Sequence, residues 1–258
     1  MYPKLFNAGS FEIYSYGLMI MVGASLGYLY FSKTAKIELG IQPEKIQLLT
    51  ILIIFSAFIG GKLFFYLEQP SFYFNPPSNM LKNLRTGFVF YGSLLFTLPM
   101  ALAYFRYEKW PIWTMADILA VTATIIHSCG RIGCFLAGCC HGLPTSMLWG
   151  VTFTDVHSMA HPLNEPLHPT QLYSVTLILS ILGVLLIFKK HRKFDGQLFF
   201  VYLILYSLGR SVIEIFRGDL RRGFVIEGLL SHSQFISIII ILGVGLLYLF
   251  RWRRSQVN

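Results

Sequence analysis

His127-Ser-Cys-Gly-Arg-Ile-Gly-Cys-Phe-Leu-Ala-Gly-Cys-Cys-His-Gly142 is the stretch on which the reading of this chain turns. It closes an apolar run and gathers one arginine, two histidines, four glycines and all four cysteines of the protein. A charged side chain near hydrocarbon is costly, so Arg131 requires a partner, a ligand or a path to the headgroups. Glycines at this density let backbones or a ligand approach closely. Two readings follow. The stretch is a tight helix-packing turn whose arginine snorkels to the interface, or it is part of an anion site shared with other intramembrane charges.

Working outward, the composition is that of an integral membrane protein: 55% of residues are hydrophobic and 13% charged. Apolar runs of about 17–25 residues follow one another, separated by short polar loops, and most lack the alternation of a soluble core. The expected fold is all-α and polytopic, one transmembrane domain over residues 1–258. About seven spans are expected, near 12–31, 47–67, 87–105, 113–137, 171–188, 198–216 and 232–250. The net charge of +9 is not a nucleic-acid signature. Lys and Arg sit mostly in loops beside spans, where they set topology and meet anionic headgroups. One set of loops carries Lys33, Lys36, Lys45, Arg106, Lys109, Lys189, Lys190, Arg192, Lys193, Arg251, Arg253 and Arg254. The other carries Lys4, Lys82, Arg85, Arg217, Arg221 and Arg222. The richer set should be cytoplasmic, which puts the N-terminus outside and the C-terminus inside. The 68–86, 139–170 and 217–230 loops then lie on the outer face. No cleavable signal peptide is apparent, so the first span is expected to remain as an anchor.

The remaining chemistry-bearing residues sit near the outer ends of these spans. Tyr14 and Tyr16 precede Gly17 in the first, where tyrosines also serve as interface anchors. Lys62 ends Gly60-Gly61-Lys62 in the second, and Tyr91 opens the third with Gly92 and Ser93. Asp117 lies near the inner end of the fourth. In the sixth, Tyr206, Arg210, Glu214 and Arg217 recur at helical spacing and share a face. Arg210–Glu214 and Glu214–Arg217 can each pair along it. Two arginines against one glutamate leave that face net positive, and Arg131 adds to it. A cationic pocket at the outer leaflet suits a phosphate, whose oxygens match the guanidinium fork. Ahead of the fifth span, His168-Pro169-Thr170-Gln171-Leu172-Tyr173 places His168 and Gln171 either at the mouth of that pocket or as orienting groups for the helix start.

The cysteines allow several chemistries. Their spacing fits no standard zinc pattern, and Cys129 and Cys134 point about 140° apart on a helix, so no metal is assigned. Packing as small apolar groups, a disulfide from Cys139 or Cys140 to Cys129 or Cys134, and a thiol activated by Arg131 all stay open.

Taken together, Tyr16-Gly17-Leu18-Met19, Gly130-Arg131-Ile132-Gly133 with Gly138 and Gly142, His168-Pro169-Thr170-Gln171-Leu172-Tyr173 and Tyr206…Arg210…Glu214…Arg217 resemble the prolipoprotein diacylglyceryl transferase family. Order, spacing and layout match across nearly the whole chain, and Met115-Ala116-Asp117 is similar to the family's lead into its signature helix. The resemblance implies transfer of the diacylglyceryl group of phosphatidylglycerol to the lipobox cysteine thiol of a preprolipoprotein, in the bacterial cytoplasmic membrane. The product would be a thioether, glycerol phosphate would leave, and no cofactor would be needed. It implies that Arg131 and Arg210 hold the phosphate, that Tyr16 and Tyr206 contact headgroup or acceptor, and that Glu214 orients Arg210. Arg217, His168, Gln171 and Gly142 complete the implied substrate site, and Tyr91 joins the catalytic group. Cys134, Ala137 and Cys139 stand where the family pattern has Asn, Asn and Glu. Tyr91 stands where it has His, and Lys62 where Arg is common. These departures keep two alternatives in view: a paralogue with the same donor and another acceptor, and a non-enzymatic phospholipid-binding protein.

Overall fold

The computed structural model describes residues 2–8, 11–68, 70–74, 87–217, 224–226 and 230–256. Lys82, Arg85, Arg221 and Arg222, with most of the 68–86 loop and most of the 217–230 segment, lie outside the described residues. A hairpin of β1 (Lys4–Ala8) and β2 (Phe11–Tyr14) leads into α1 (Ser15–Leu39), α2 (Pro43–Glu68) and the short α3 (Pro70–Phe74). Then come α4 (Phe90–Tyr107), α5 (Ile112–Ala137), the paired β3 (Val151–Thr152) and β4 (Pro166–Leu167), α6 (Thr170–Lys189) and α7 (Gln197–Ile215). The pair β5 (Phe224–Ile226) and β6 (Leu230–Ser231) precedes α8 (His232–Ser255).

A long helix falls on each of the seven expected runs, and five of them (α2, α5, α6, α7 and α8) are long and apolar enough to cross a membrane. The protein is a polytopic membrane protein. Among the described residues α1 and α4 reach the length, but glycines and tyrosines in α1, and Tyr91, Pro99 and Arg106 in α4, dilute their apolar character. The first expected run needs correction. The helix starts at Ser15 rather than near residue 12, because the hairpin occupies residues up to Tyr14 and the buried Ser15 binds Pro3 through both its amide (3.0 Å) and its hydroxyl (3.2 Å). It runs on to Leu39 and stops at Gly40, whose φ of +64° lets Ile41 N–H reach back to Ala35 O. The all-α expectation also left out three short strand pairs among the described residues, the first of which overlaps the start of the first expected run.

The chain divides into two units, Met1–Phe31 with Ala116–Asn258, and Ser32–Met115. In the second unit α2 and α4 pack backbone to backbone. A Cβ at Gly60 or at Gly92 would collide with the carbonyl oxygen of the other, and Ser93 Oγ donates to Ala57 O at 2.8 Å. Lys62 is buried, with Nζ 5.3 Å from the Phe65 ring centre and 5.8 Å from that of Tyr66. Tyr91 is 71% exposed on the first turn of α4. Lys45 pairs with Glu108 near the other end of these helices.

In the first unit, Ala120 and Val121 of α5 meet Ile181 and Leu185 of α6 and Leu198 of α7 in a sealed core. Asp117, 1% exposed, accepts from Gly196 N–H (2.8 Å) and Phe199 N–H (2.9 Å). It therefore satisfies two of the free donors at the start of α7, a task the N-cap residue itself, Gly196, cannot do. The Ala-Asp pair read as a family lead-in is thus a cap supplied by a neighbouring helix. Gln197 then links α7 to Tyr248 of α8 at 2.9 Å, and α8 begins with a capping box between Ser231 and Gln234.

Candidate functional site

The site assembles at the end of α5 where the chain leaves the helix. Arg131 Nε donates to His127 Nε2, one turn earlier, at 3.2 Å. That nitrogen therefore carries no proton, and His127 is a neutral ring that orients the guanidinium. His127 in turn lies against Tyr206 of α7, ring centres 5.4 Å apart, and Tyr206 stacks on Tyr202 at 5.8 Å and 19°. One turn further along α7, Arg210 and Glu214 form an ion pair whose side chains are 13% and 9% exposed. Arg131, Tyr206, Arg210 and Glu214 are thus carried on the facing helices α5 and α7. His127 was absent from the site read in the sequence, although its four-residue spacing from Arg131 was a usable signal.

Arg217 lies two residues beyond the last residue of α7. α7 ends at Ile215, Phe216 forms its C-cap, and Arg217 lies past the helix with its N–H on Glu214 O at 3.0 Å. It is near enough to act on the Cys140 thiol electrostatically, as is Arg131. Tyr16, 44% exposed on the first turn of α1, is in electrostatic reach of Arg131 and of Cys134, Cys139 and Cys140. The first turn of α1 gets there because Gly133 lacks a side chain: a Cβ would stand 3.1 Å from Met19 Cβ and 3.2 Å from Tyr16 Cδ2.

Gly142 and Gln171 hold the turn beneath this cluster. Gly142 N–H donates to His168 O (2.8 Å), His168 N–H to Leu143 O (2.9 Å) and Leu143 N–H to Phe216 O (3.0 Å). This junction ties the ends of α5 and α7 to the start of α6. A Cβ at Gly142 would run into the Phe216 carbonyl and sit 2.8 Å from His168 Cβ and Thr170 Cγ2, so only glycine fits. Gln171, fully buried, donates through Nε2 to Cys139 O at 2.7 Å, and its Oε1 has no hydrogen-bond partner among the described residues. Of the two roles read for Gln171, the structure displays the orienting one. His168 Nδ1 lies 3.1 Å from Tyr173 OH, which also accepts from Trp149 Nε1 at 2.8 Å. The loop from Gly138 to Pro169 has its own core of Phe153, Ala160 and Leu167. Tyr91 belongs to the second unit and is described there.

The cysteines separate into one and three. Cys129 is buried on α5, where Gly23 of α1 leaves room for it. Cys134, Cys139 and Cys140 converge, with their sulfurs all within 4.8 Å of one another. All four are free thiols, so the disulfide considered for them is not formed. Cys139 and Cys140 are not bound by helical spacing, because the helix ends at Ala137. Left-handed Gly138 (φ +80°) and Cys140 (φ +62°) then fold the chain back. Hydrogen bonds from Cys134 and Cys139, with the fields of Arg217 and Arg131, hold the Cys140 thiol below the ordinary thiol range.

Residues 3–250 match the family model for prolipoprotein diacylglyceryl transferase. The chain belongs to the prolipoprotein diacylglyceryl transferase family. It is 35% identical to the phosphatidylglycerol–prolipoprotein diacylglyceryl transferase of Clostridium tetani, over 99% of this chain and all of the relative. It is 37% identical to the enzyme numbered 2 of that name from Clostridium perfringens, over 92% of this chain and 90% of the relative. The like-named protein of Acaryochloris marina is 31% identical over 98% of this chain and 92% of its own length. The matched residues thus include α5 with Arg131, α7 with Arg210, and the turn that joins α5 to α6.

Proposed function

We propose that this protein transfers the diacylglyceryl group of phosphatidylglycerol to the lipobox cysteine thiol of a preprolipoprotein, as a single membrane domain of seven spans in the bacterial cytoplasmic membrane. Its N-terminus would be outside and its C-terminus cytoplasmic. The observation that carries this reading is the pair of arginines on α5 and α7 of a chain that matches the family model over residues 3–250, each held by its own helix neighbour: Arg131 by His127 and Arg210 by Glu214. In the reaction the acceptor sulfur attacks C3 of the diacylglycerol moiety. The carbon–sulfur bond forms as the C3–oxygen bond breaks, glycerol phosphate departs with the bonding electrons, and the thiol proton goes to solvent or to the leaving phosphate. Arg131 and Arg210 bind the phosphate and offset the charge it gains, a stabilisation that grows toward the transition state. Their field also favours the acceptor thiolate. Tyr16 and Tyr206 contact headgroup or acceptor, Arg217 and His168 complete the substrate site, and Gly142 and Gln171 act through the turn they hold. Tyr91, a poor base at neutral pH but a good hydrogen-bond donor, orients headgroup or phosphate. No metal or organic cofactor enters this scheme.

Rescue of a strain depleted of its own diacylglyceryl transferase tests the proposal; failure of a well-expressed protein to support lipoprotein maturation would refute it. A second reading, the same donor with another acceptor, is favoured by Cys134, Cys139 and Tyr91 at positions where the family pattern carries Asn, Glu and His. Purified protein given phosphatidylglycerol and a lipobox peptide separates the two: glycerol phosphate release with unmodified peptide selects the second.

A further inference from the structure

The proposed transfer uses an acceptor thiol from the substrate and leaves Cys134, Cys139 and Cys140 without a task. We propose that these three cysteines form a binding site for a thiophilic d10 cation, Zn2+ or Cu+, at the end of α5. Their sulfurs, mutually within 4.8 Å, need only a small contraction to reach the roughly 3.8 Å separation of thiolates around one tetrahedral zinc with Zn–S bonds of about 2.3 Å. All three are half-buried, shielded in part from water yet open to an incoming ion.

The backbone that presents them is clamped at each carbonyl. Cys139 N–H donates to Cys134 O (3.1 Å), Gln171 Nε2 to Cys139 O (2.7 Å) and Thr170 Oγ1 to Cys140 O (2.7 Å). Adjacent side chains ordinarily diverge. Here Cys140 takes a left-handed backbone that non-glycine residues seldom adopt, and Cys139 and Cys140 thereby aim at one point. A disulfide would consume two of the thiols and strand the third, whereas a soft cation uses all three. Charge is also accommodated. Three thiolates around Zn2+ carry one net negative charge, and those around Cu+ carry two, beside the guanidinium groups of Arg131 and Arg217. Protons still on the thiols are released to water as the metal binds.

The test is metal uptake by the full-length, reduced protein in detergent, which is independent of whether the protein is a transferase. Zn2+ alone and Cu+ alone are titrated in separate arms against a chromogenic chelator. Uptake of one equivalent in either arm, with three of the four thiols becoming protected from alkylation, supports the site and names its ion. Cobalt substitution should add a thiolate-to-metal charge-transfer band. Cys139→Ser and Cys140→Ser should each weaken binding by roughly 100-fold or more, whereas Cys129→Ala should leave it unchanged. Absence of saturable uptake in both arms overturns the proposal. So does binding that survives both serine variants, or loss of thiols to a disulfide in place of metal. Thiol protection in the unaltered protein decides the matter even where a variant folds poorly.

Discussion

At the scale of single residues, Arg210 carries the largest expected effect. Its partner Glu214 is nearly sealed, so Arg210→Ala leaves a carboxylate without its counter-charge at a site with little access to water. The expected cost is about 3 kcal/mol of stability, alongside a loss of turnover on the order of 100-fold or more from the missing phosphate partner. Thermal unfolding in detergent and glycerol phosphate release read the two separately. Arg210→Lys should recover most of the stability and little of the turnover, since a point charge keeps the pair but loses the fork; full activity in the lysine variant would make the pair purely structural. Tyr91 is open to a different comparison. If its hydroxyl donates to substrate, Tyr91→Phe lowers turnover at every pH, and Tyr91→His keeps part of it with a new inflection near neutral pH, where histidine titrates. Phe matching the parent throughout would leave Tyr91 no chemical role. Both of these residues were legible from spacing and family pattern. His127 was legible only through its four-residue spacing from Arg131, a weak signal because a histidine there is equally at home on any packed helix.

Among the secondary-structure elements, two contacts decide how the helices present the site. Asp117 of α5 caps α7, the helix that carries Tyr206, Arg210 and Glu214. Asp117→Ala should cost about 1–2 kcal/mol by freeing two buried donors. Asp117→Asn, which keeps an acceptor, should cost less. In both, turnover per folded molecule should stay near the parent value, because the cap lies at the end of α7 remote from Arg210. A change in KM in either variant would show that the cap reaches the site. Gly142→Ala is expected to do more, since its added methyl meets backbone at Phe216. Stability and turnover should fall together, and limited proteolysis of the 139–170 loop should quicken. A fully active Gly142→Ala protein would mean that the junction of α5, α6 and α7 is free to shift.

For the whole molecule, the prediction is topological. A reporter fused after Arg254 should read cytoplasmic, and one inserted in the 150–165 loop should read external, because positive charge is concentrated in the other set of loops. Both reporters on one side would overturn the orientation proposed for the arginine cluster. The loop insertion is a demanding probe, since Phe153, Ala160 and Leu167 form a core there; exposed positions within it, such as Val156 or Met159, suit it best.

The long apolar runs by themselves determined the long helices among the described residues, to within a few residues at most ends, because burying backbone polar groups in lipid leaves a helix as the available structure for such a run. Local spacing likewise determined the Arg210–Glu214 pair, since residues four apart on a helix are neighbours by geometry alone. What lies off the helices was decided by tertiary contacts. The hairpin ahead of α1 displaced the start of the first helix because Ser15 has its partner in Pro3, twelve residues away. α7 ends at Ile215, and Phe216 just beyond it is tied to Leu143 of the Gly142 junction. Gln171 turned inward to a carbonyl that only the folded turn brings within reach. The gathering of Cys134, Cys139 and Cys140 is the plainest case. Helical spacing separates cysteines, and two left-handed residues, fixed by neighbours from other parts of the chain, bring them together.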